Sequence, residues 1–177
     1  LGVELAASGI VERQRIMPFL HARVQAINGV AVRDLRIPRS LNWVIRGDRG
    51  VSFAAKLPDA VRWGDRQSEG PGYSMDAEVA KNLGLALGDT ITLNVGGQVR
   101  TGLILNFHNV DWTGLDLDFP IIATPATFTG IPYTLAASLK AKSGEEATLE
   151  AFVKNRFPDM PLIRVVDVLR SLATALD

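Results

Sequence analysis

Apolar and polar residues alternate along several stretches of the chain, and this period of two predicts strands with one buried face. The clearest stretch, FLHARVQAING, lies within residues 16–32 and ends at Asn28-Gly29, a pair typical of tight turns. Residues 89–95 alternate in the same way. Gly96-Gly97 then predicts a two-residue hairpin that leads into a partner strand over residues 99–107.

Helical signals precede the strands over residues 16–32 and 89–95. Residues 1–8 are predicted to form the end of a helix that Gly9 closes, since glycine is common just past a helix C-terminus. Ser74 is predicted to cap a second helix, because its hydroxyl can accept from the amides of the first turn. This helix is expected to run to Leu83, with Gly84 closing it.

The last third of the chain has the order strand, helix, strand, helix. Residues 134–140 and 162–166 are predicted strands, and the second is rich in β-branched residues. Ser143 is predicted to begin the helix between them, and Asp167 to cap a final helix over residues 168–176. The order implies two parallel strands joined by a right-handed crossover.

These elements together predict an α+β fold with two subdomains. The helix and strand at the N-terminal end can join the C-terminal strand-helix-strand in a β-α-β-β-α-β sheet, whose first strand is expected before Leu1. Residues 1–30 and 131–177 would then form a split, ferredoxin-like (porter-like) βαβ subdomain. Residues 31–130 would form an inserted β-rich subdomain, with short strands at 51–57 and in the segment FPIIATP.

Charge is balanced over the whole chain, with 19 Lys and Arg against 19 Asp and Glu. Nucleic acid is therefore not expected as a main partner, because phosphate backbones need a basic excess. Positive and negative charges are not balanced in every segment of the chain. One predicted loop, residues 33–50, holds five arginines and is interpreted as a solvated face: Arg33, Arg36, Arg39, Arg46 and Arg49.

The chain contains no cysteine, which excludes disulfides, thiolate metal sites and cysteine nucleophiles. It contains neither a run of about 18 apolar residues that could span a bilayer nor a recognisable signal peptide. It begins at Leu1 rather than at an initiator methionine, so it is interpreted as a fragment of a longer protein.

The residue types that carry chemistry do not converge in the sequence. His21 and His108 lie in different predicted strands, and neither has a partner at ligand spacing. The acidic residues of DWTGLDLD could bind a hard cation, but they lack the glutamate and glycine pattern of a calcium loop: Asp111, Asp116 and Asp118. No strained nucleophile turn or phosphate loop is present. The sequence therefore predicts no catalytic residue, no metal and no cofactor.

Three tryptophans in predicted loops are the candidate contact surface: Trp43, Trp63 and Trp112. One interpretation is that they are partly buried plugs of the subdomains. The other is that they form an apolar surface for a partner domain or an amphiphile, because aromatic side chains suit both roles.

The segment AKNLGLALGDTITLNVGGQ, residues 80–98, is predicted to be a structural corner rather than a site. The residues that are expected to shape this corner are Gly84, Gly88, Asp89, Gly96 and Gly97. The glycines permit the helix end and the chain reversals, and the aspartate can accept from nearby amides, as turn aspartates do.

Four segments follow one another along the chain: LHARVQAINGV at 20–30, LGLALGDTITLNVGGQ at 83–98, VDW at 110–112 and FPDMPLIRVVDVL at 157–169. In this order they resemble the extracytoplasmic domain of FtsX/MacB-type ABC transporter permeases. The resemblance covers about residues 16–170 and is strongest to the permease associated with the lysophospholipase L1/thioesterase operon.

The resemblance implies a non-catalytic periplasmic domain of an inner-membrane protein. Its implied partners are the transmembrane helices of the parent protein and a cytoplasmic ATPase subunit. The implied role is to relay ATP-driven motion, or to contact an amphiphilic or lipid substrate or a periplasmic protein, during export or extraction. An alternative is a small β-barrel binding module of a larger soluble protein, of the double-psi or swapped-hairpin type, since these barrels also use a helix followed by Gly-Asp and a strand.

Overall fold

The computed structural model describes residues 2–55, 70–110 and 117–165. The helices in these ranges are α1 (Gly2–Ala7), α2 (Asn42–Ile45), α3 (Ala77–Leu83) and α4 (Glu146–Arg156). The strands are β1 (Val11–Ile27), β2 (Val30–Ala31), β3 (Arg49–Phe53), β4 (Gly72–Asp76), β5 (Thr90–Val95), β6 (Gln98–His108), β7 (Ile121–Ala123) and β8 (Thr134–Ala141). Short 3₁₀ turns lie at Val32–Asp34, Arg39–Leu41 and Pro125–Phe128.

Six of the strands close into a ring in the order β1-β3-β7-β4-β6-β5, because β5 also pairs with β1. The pairs β3/β7 and β4/β6 are parallel, and the other four pairs in the ring are antiparallel. A closed ring satisfies the backbone groups of its strands without exposed edges. The β-rich part of the chain is therefore a small closed barrel. Strands β2 and β8 also pair with β1.

Alternating residues of the ring strands form the main core. In β5, Ile91, Leu93 and Val95 are buried, whereas the residues between them are partly exposed. Tyr73 and Met75 of β4 are fully buried in the same cluster. The period of two thus aims one face of each strand into the barrel, as alternation predicts. A smaller cluster includes neighbouring residues that point the other way: Met17, Leu105, Phe119 and Ile122.

The chain divides into two compact units. One comprises residues 16–112 and 117–136 and contains the six-stranded ring. The other comprises residues 1–15, 113–116 and 137–177. In its described part, Leu5 of α1 packs with Leu149 and Val153 of α4. The predicted subdomain boundaries, 1–30 plus 131–177 against 31–130, and the split ferredoxin-like arrangement remain predictions.

Several predicted elements are confirmed. The N-terminal helix ends before Gly9, and Asn28 and Gly29 have positive φ values of 50° and 76° at the turn between β1 and β2. The predicted hairpin at Gly96-Gly97 joins β5 to β6. The strand that contains most of FLHARVQAING lies earlier in the chain than the predicted range 16–32, since it begins at Val11 and ends at Ile27.

The prediction that Ser74 caps the second helix is wrong. Ser74 lies in β4, between its pairing partners β6 and β7, and is fully buried. Asp76 is the N-cap of α3, and its Oδ1 accepts from the backbone N–H of Val79 at 2.8 Å. Both residue types cap helices well, so the pairing of β4 in the sheet decides which of them does so.

The C-terminal predictions are confirmed in part. Strand β8 and helix α4 are present, although α4 begins at Glu146 rather than at Ser143. Residues 162–165 do not form the predicted strand. Leu162, Ile163 and Val165 are 37%, 75% and 40% exposed, so no packed face is formed there. Asp167 and the predicted helix over 168–176 lie outside the described residues. Among the residues that are described, no helix is long and apolar enough to span a membrane.

Candidate functional site

A buried serine–histidine pair is the arrangement that most resembles catalytic chemistry. Ser74 Oγ lies 2.8 Å from His108 Nδ1, and His108 Nε2 lies 2.8 Å from the carbonyl oxygen of Phe119. A carbonyl can only accept, so Nε2 carries a proton and donates to it. In the neutral ring, Nδ1 then accepts from the hydroxyl of Ser74.

Strand pairing brings these residues together from positions 34 residues apart. Strands β4 and β6 are parallel, with Ser74 opposite Asn106 and Asp76 opposite His108. No local motif signals this contact, so the sequence could not reveal it. It appears only once the register of two distant strands is known.

The pair is sealed inside the protein. Ser74 is 0% exposed and His108 is 7% exposed. The neighbouring carboxylate of Asp76 is also occupied, because its two oxygens accept from the N–H groups of Val79 and Val110. A nucleophilic serine must present its oxygen to substrate. The geometry therefore fits a buried hydrogen-bond network that stabilises the sheet.

A second buried polar cluster holds the start of β4. The N–H of Gly72 donates to Thr127 Oγ1 at 2.9 Å, and this hydroxyl donates to the carbonyl of Gly72 at 3.1 Å. Thr124 Oγ1 lies 2.8 Å from Thr127 Oγ1 and donates to the carbonyl of Gly70. Both threonines thus bond to backbone groups at the start of β4, which is a structural role.

Tyr73 has the most perturbed titration behaviour in the described residues. Burial raises the pKa of its phenol far above the ordinary value, and the nearby charge of Arg100 lowers it by a smaller amount. The hydroxyl donates to the carbonyl of Arg100 at 3.0 Å. The ring lies in the barrel core, so the shift reflects packing and not a reactive phenol.

The corner segment places its aspartate and glycines in tight backbone geometry. Asp89 Oδ2 accepts from the N–H of Ala86 at 2.8 Å. The N–H of Gly88 donates to the carbonyl of Ile104, and the N–H of Ile104 donates to the carbonyl of Asp89. The φ values are 68° at Gly84, 94° at Gly88, 57° at Gly96 and 85° at Gly97. Such angles disfavour side chains that branch at Cβ.

One of the three candidate contact tryptophans can be located. Trp43 lies in α2 and is 41% exposed, and the guanidinium carbon of Arg49 lies 5.7 Å from the centre of its ring. A stacked arginine and a half-exposed indole suit contact with an amphipathic surface. Trp63 and Trp112 lie outside the described residues, so the three are not shown to meet.

The acidic segment gives no metal centre in the part of the chain that is described. Asp118 is half-buried, and Asp111 and Asp116 lie outside the described residues. Within the described ranges, no group of three His, Cys, Asp or Glu residues could hold a metal ion.

Two open grooves flank the polar face of β1. One, of about 500 Å³, is lined by residues of β1, β2 and α2 and of the turns beside them, including Arg23, Arg33 and Arg46. The other, of about 370 Å³, is lined by His21, Arg23, Asp48 and the Gly96-Gly97 hairpin, among others. Sequence reasoning noted the arginine-rich segment but could not show which arginines converge.

No protein-family model matches the chain. Among curated proteins, the chain is similar to the uncharacterized ABC transporter permease YbbP of Escherichia coli (strain K12). The two are 26% identical over 163 residues, which is 88% of this chain and 19% of YbbP. The chain thus spans about a fifth of the length of that relative. It is a distant relative of one segment of an ABC transporter permease.

Proposed function

We propose that the chain is a non-catalytic, extracytoplasmic domain of an ABC transporter permease of the FtsX/MacB type. The observation that carries this proposal is the similarity to YbbP along 88% of the chain. The order of the segments at 20–30, 83–98, 110–112 and 157–169 supports the narrower assignment. The domain would then lie on the periplasmic side of the inner membrane, as part of the permease associated with the lysophospholipase L1/thioesterase operon.

The packing of the described residues suits a mechanical role. The closed ring of strands surrounds a continuous apolar core, so this barrel by itself can move as a rigid body. The serine–histidine pair found among the described residues is buried and cannot reach a substrate. Such a domain relays ATP-driven motion from the transmembrane helices and a cytoplasmic ATPase subunit to the periplasm. During export or extraction, it contacts a lipid or other amphiphile, or a periplasmic protein.

The candidate contact surface for that role is the half-exposed Trp43 with Arg49 stacked on its ring. An indole beside a cation matches the boundary between an apolar chain and a charged head group. Trp63 and Trp112 are further candidates on the basis of sequence alone.

The closed barrel also favours a second candidate function. Small barrels of the double-psi or swapped-hairpin type serve as binding modules in larger soluble proteins, and a closed ring of six strands with two parallel pairs is compatible with that class. This candidate requires neither a membrane nor an ATPase.

Fractionation of the full-length gene product separates the two candidates. A permease is expected in the membrane fraction, to require detergent for release, and to co-purify with an ATP-hydrolysing subunit. Recovery of the full-length product from the aqueous fraction without detergent, and without an associated ATPase, would contradict the transporter proposal and support the binding module.

A further inference from the structure

Every charged residue that lines the larger of the two grooves beside β1 is an arginine. Arg23 comes from β1, Arg33 from the 3₁₀ turn after β2, and Arg46 from the end of α2. Because the three come from separate elements, the tertiary fold brings them together. None of the described residues that line this groove is acidic.

The floor of the groove is apolar and well packed. Val24, Val32 and Ile45 contribute to it, and all three belong to the barrel core cluster. A rigid floor fixes the backbone from which the three arginines project. The volume of the groove, about 500 Å³, lies within the range of small-molecule sites.

Nearby carboxylates compensate the three charges only in part. Arg23 Nε is 3.1 Å from Asp48 Oδ1. Arg33 Nε is 3.7 Å from Asp34 Oδ2, beyond good hydrogen-bond distance. Arg46 Nη2 donates to the carbonyl of Leu35 at 3.3 Å, which orients its guanidinium without neutralising it. The segment 33–50 has five arginines and two aspartates, in a chain whose net charge is zero.

We propose that this groove binds a phosphate group. Guanidinium groups donate parallel hydrogen bonds to phosphate oxygens, and three of them can surround one tetrahedral anion. The same chemistry serves a free phosphate ion and the head group of an anionic phospholipid. The proposal does not depend on where the chain lies relative to a membrane, so it can hold or fail independently of the transporter role.

Binding is measured on the 177-residue chain with two probes: inorganic phosphate, and vesicles of phosphatidylglycerol compared with vesicles of phosphatidylcholine. We expect at least one of the anionic probes to bind, more weakly at high salt. Uptake of inorganic phosphate indicates a site for the free ion. Binding of phosphatidylglycerol vesicles alone indicates a site for a lipid head group.

Two double variants distinguish the groove from a diffuse basic surface. Arg33→Gln with Arg46→Gln removes two charges that line the groove, and we expect binding to weaken about tenfold or more, because charge-assisted hydrogen bonds are lost. Arg36→Gln with Arg39→Gln removes two exposed charges from the same segment but outside the groove lining, and is expected to change affinity less than about twofold.

The proposal is overturned if neither anionic probe binds, or if the two double variants weaken binding equally. Thermal unfolding of both variants serves as the folding control. If the groove variant is unfolded, the single variant Arg33→Gln, whose side chain is 86% exposed, replaces it and must weaken binding more than Arg36→Gln does.

Discussion

At the scale of single residues, the most informative side chains are buried polar groups whose partners are distant in sequence. Ser74 illustrates the limit of local reasoning. A serine before a helical pattern is a good N-cap signal. Ser74 nevertheless lies within strand β4, and Asp76, two residues later, caps the helix. Both residues are compatible with the local pattern, and only the pairing of β4 with β6 and β7 selects between them.

The ionisation of Tyr73 tests the packing of the barrel core, because it links the stability of the fold to pH. Burial raises the pKa of its phenol above the ordinary value of about 10. In the unfolded chain this phenol loses its proton near pH 10, whereas in the folded chain it stays protonated. The contribution of Tyr73 to stability is therefore present below pH 10, and is lost as the pH rises further, by up to about 1.4 kcal/mol per pH unit.

The measurement uses the Tyr133→Phe variant, because the chain has two tyrosines and this change leaves Tyr73 as the only one. We expect no phenolate absorbance above pH 10 until the protein unfolds. We also expect Tyr73→Phe to reduce the alkaline loss of stability relative to the unmodified chain. A phenolate signal that appears near pH 10 while the fold is intact would show that Tyr73 is not in a sealed core.

At the scale of elements, regular patterns predict much of the β-rich part. The alternation in residues 89–95 and the Gly-Gly pair after it specify two strands and their hairpin, because period and turn chemistry are both local. The pattern at 162–166 is equally β-branched, but residues 162–165 form no strand. A strand also needs an edge to pair with, and no local signal reports whether one is available.

The corner segment is tested at this scale. Gly88→Val and Gly97→Val each place a branched side chain at a backbone position whose φ is 94° or 85°. We expect each to lower the free energy of unfolding by about 1–3 kcal/mol, measured by urea titration, because such residues resist positive φ. Gln98→Val, at an exposed strand position beside the turn, is the control and is expected to change stability little.

If both glycine variants unfolded at the same urea concentration and temperature as the unmodified chain, the structural interpretation of residues 80–98 would be wrong. The segment would then need another explanation for its glycines, such as close approach of a ligand to the backbone.

At the scale of the whole molecule, the closure of the barrel was not predictable from sequence. It requires β1 to pair with β5. The residues that face each other in this pair, such as Val24 of β1 and Leu93 of β5, are far apart in the chain. Alternation shows that each strand has a buried face, but it does not show which strands are neighbours. The convergence of three arginines on one groove has the same origin, since it depends on how β1, β2 and α2 meet.

The proposed transporter role also belongs to this scale, because it rests on similarity along 88% of the chain. The chain matches about a fifth of the length of YbbP. Its own residues supply a rigid barrel, a half-exposed tryptophan and a basic groove. These features are the ones on which the proposed role and the proposed phosphate site rest.

Side-specific labelling of a single introduced cysteine tests the central claim most directly. The chain has no cysteine, and Lys81 of α3 is exposed, so Lys81→Cys adds one reactive thiol without disturbing the core. In the full-length gene product with any other cysteines replaced, we expect a membrane-impermeant maleimide to label this thiol in intact cells, while a cytoplasmic thiol protein stays unlabelled. Labelling that occurs only after the cells are lysed would contradict the extracytoplasmic account.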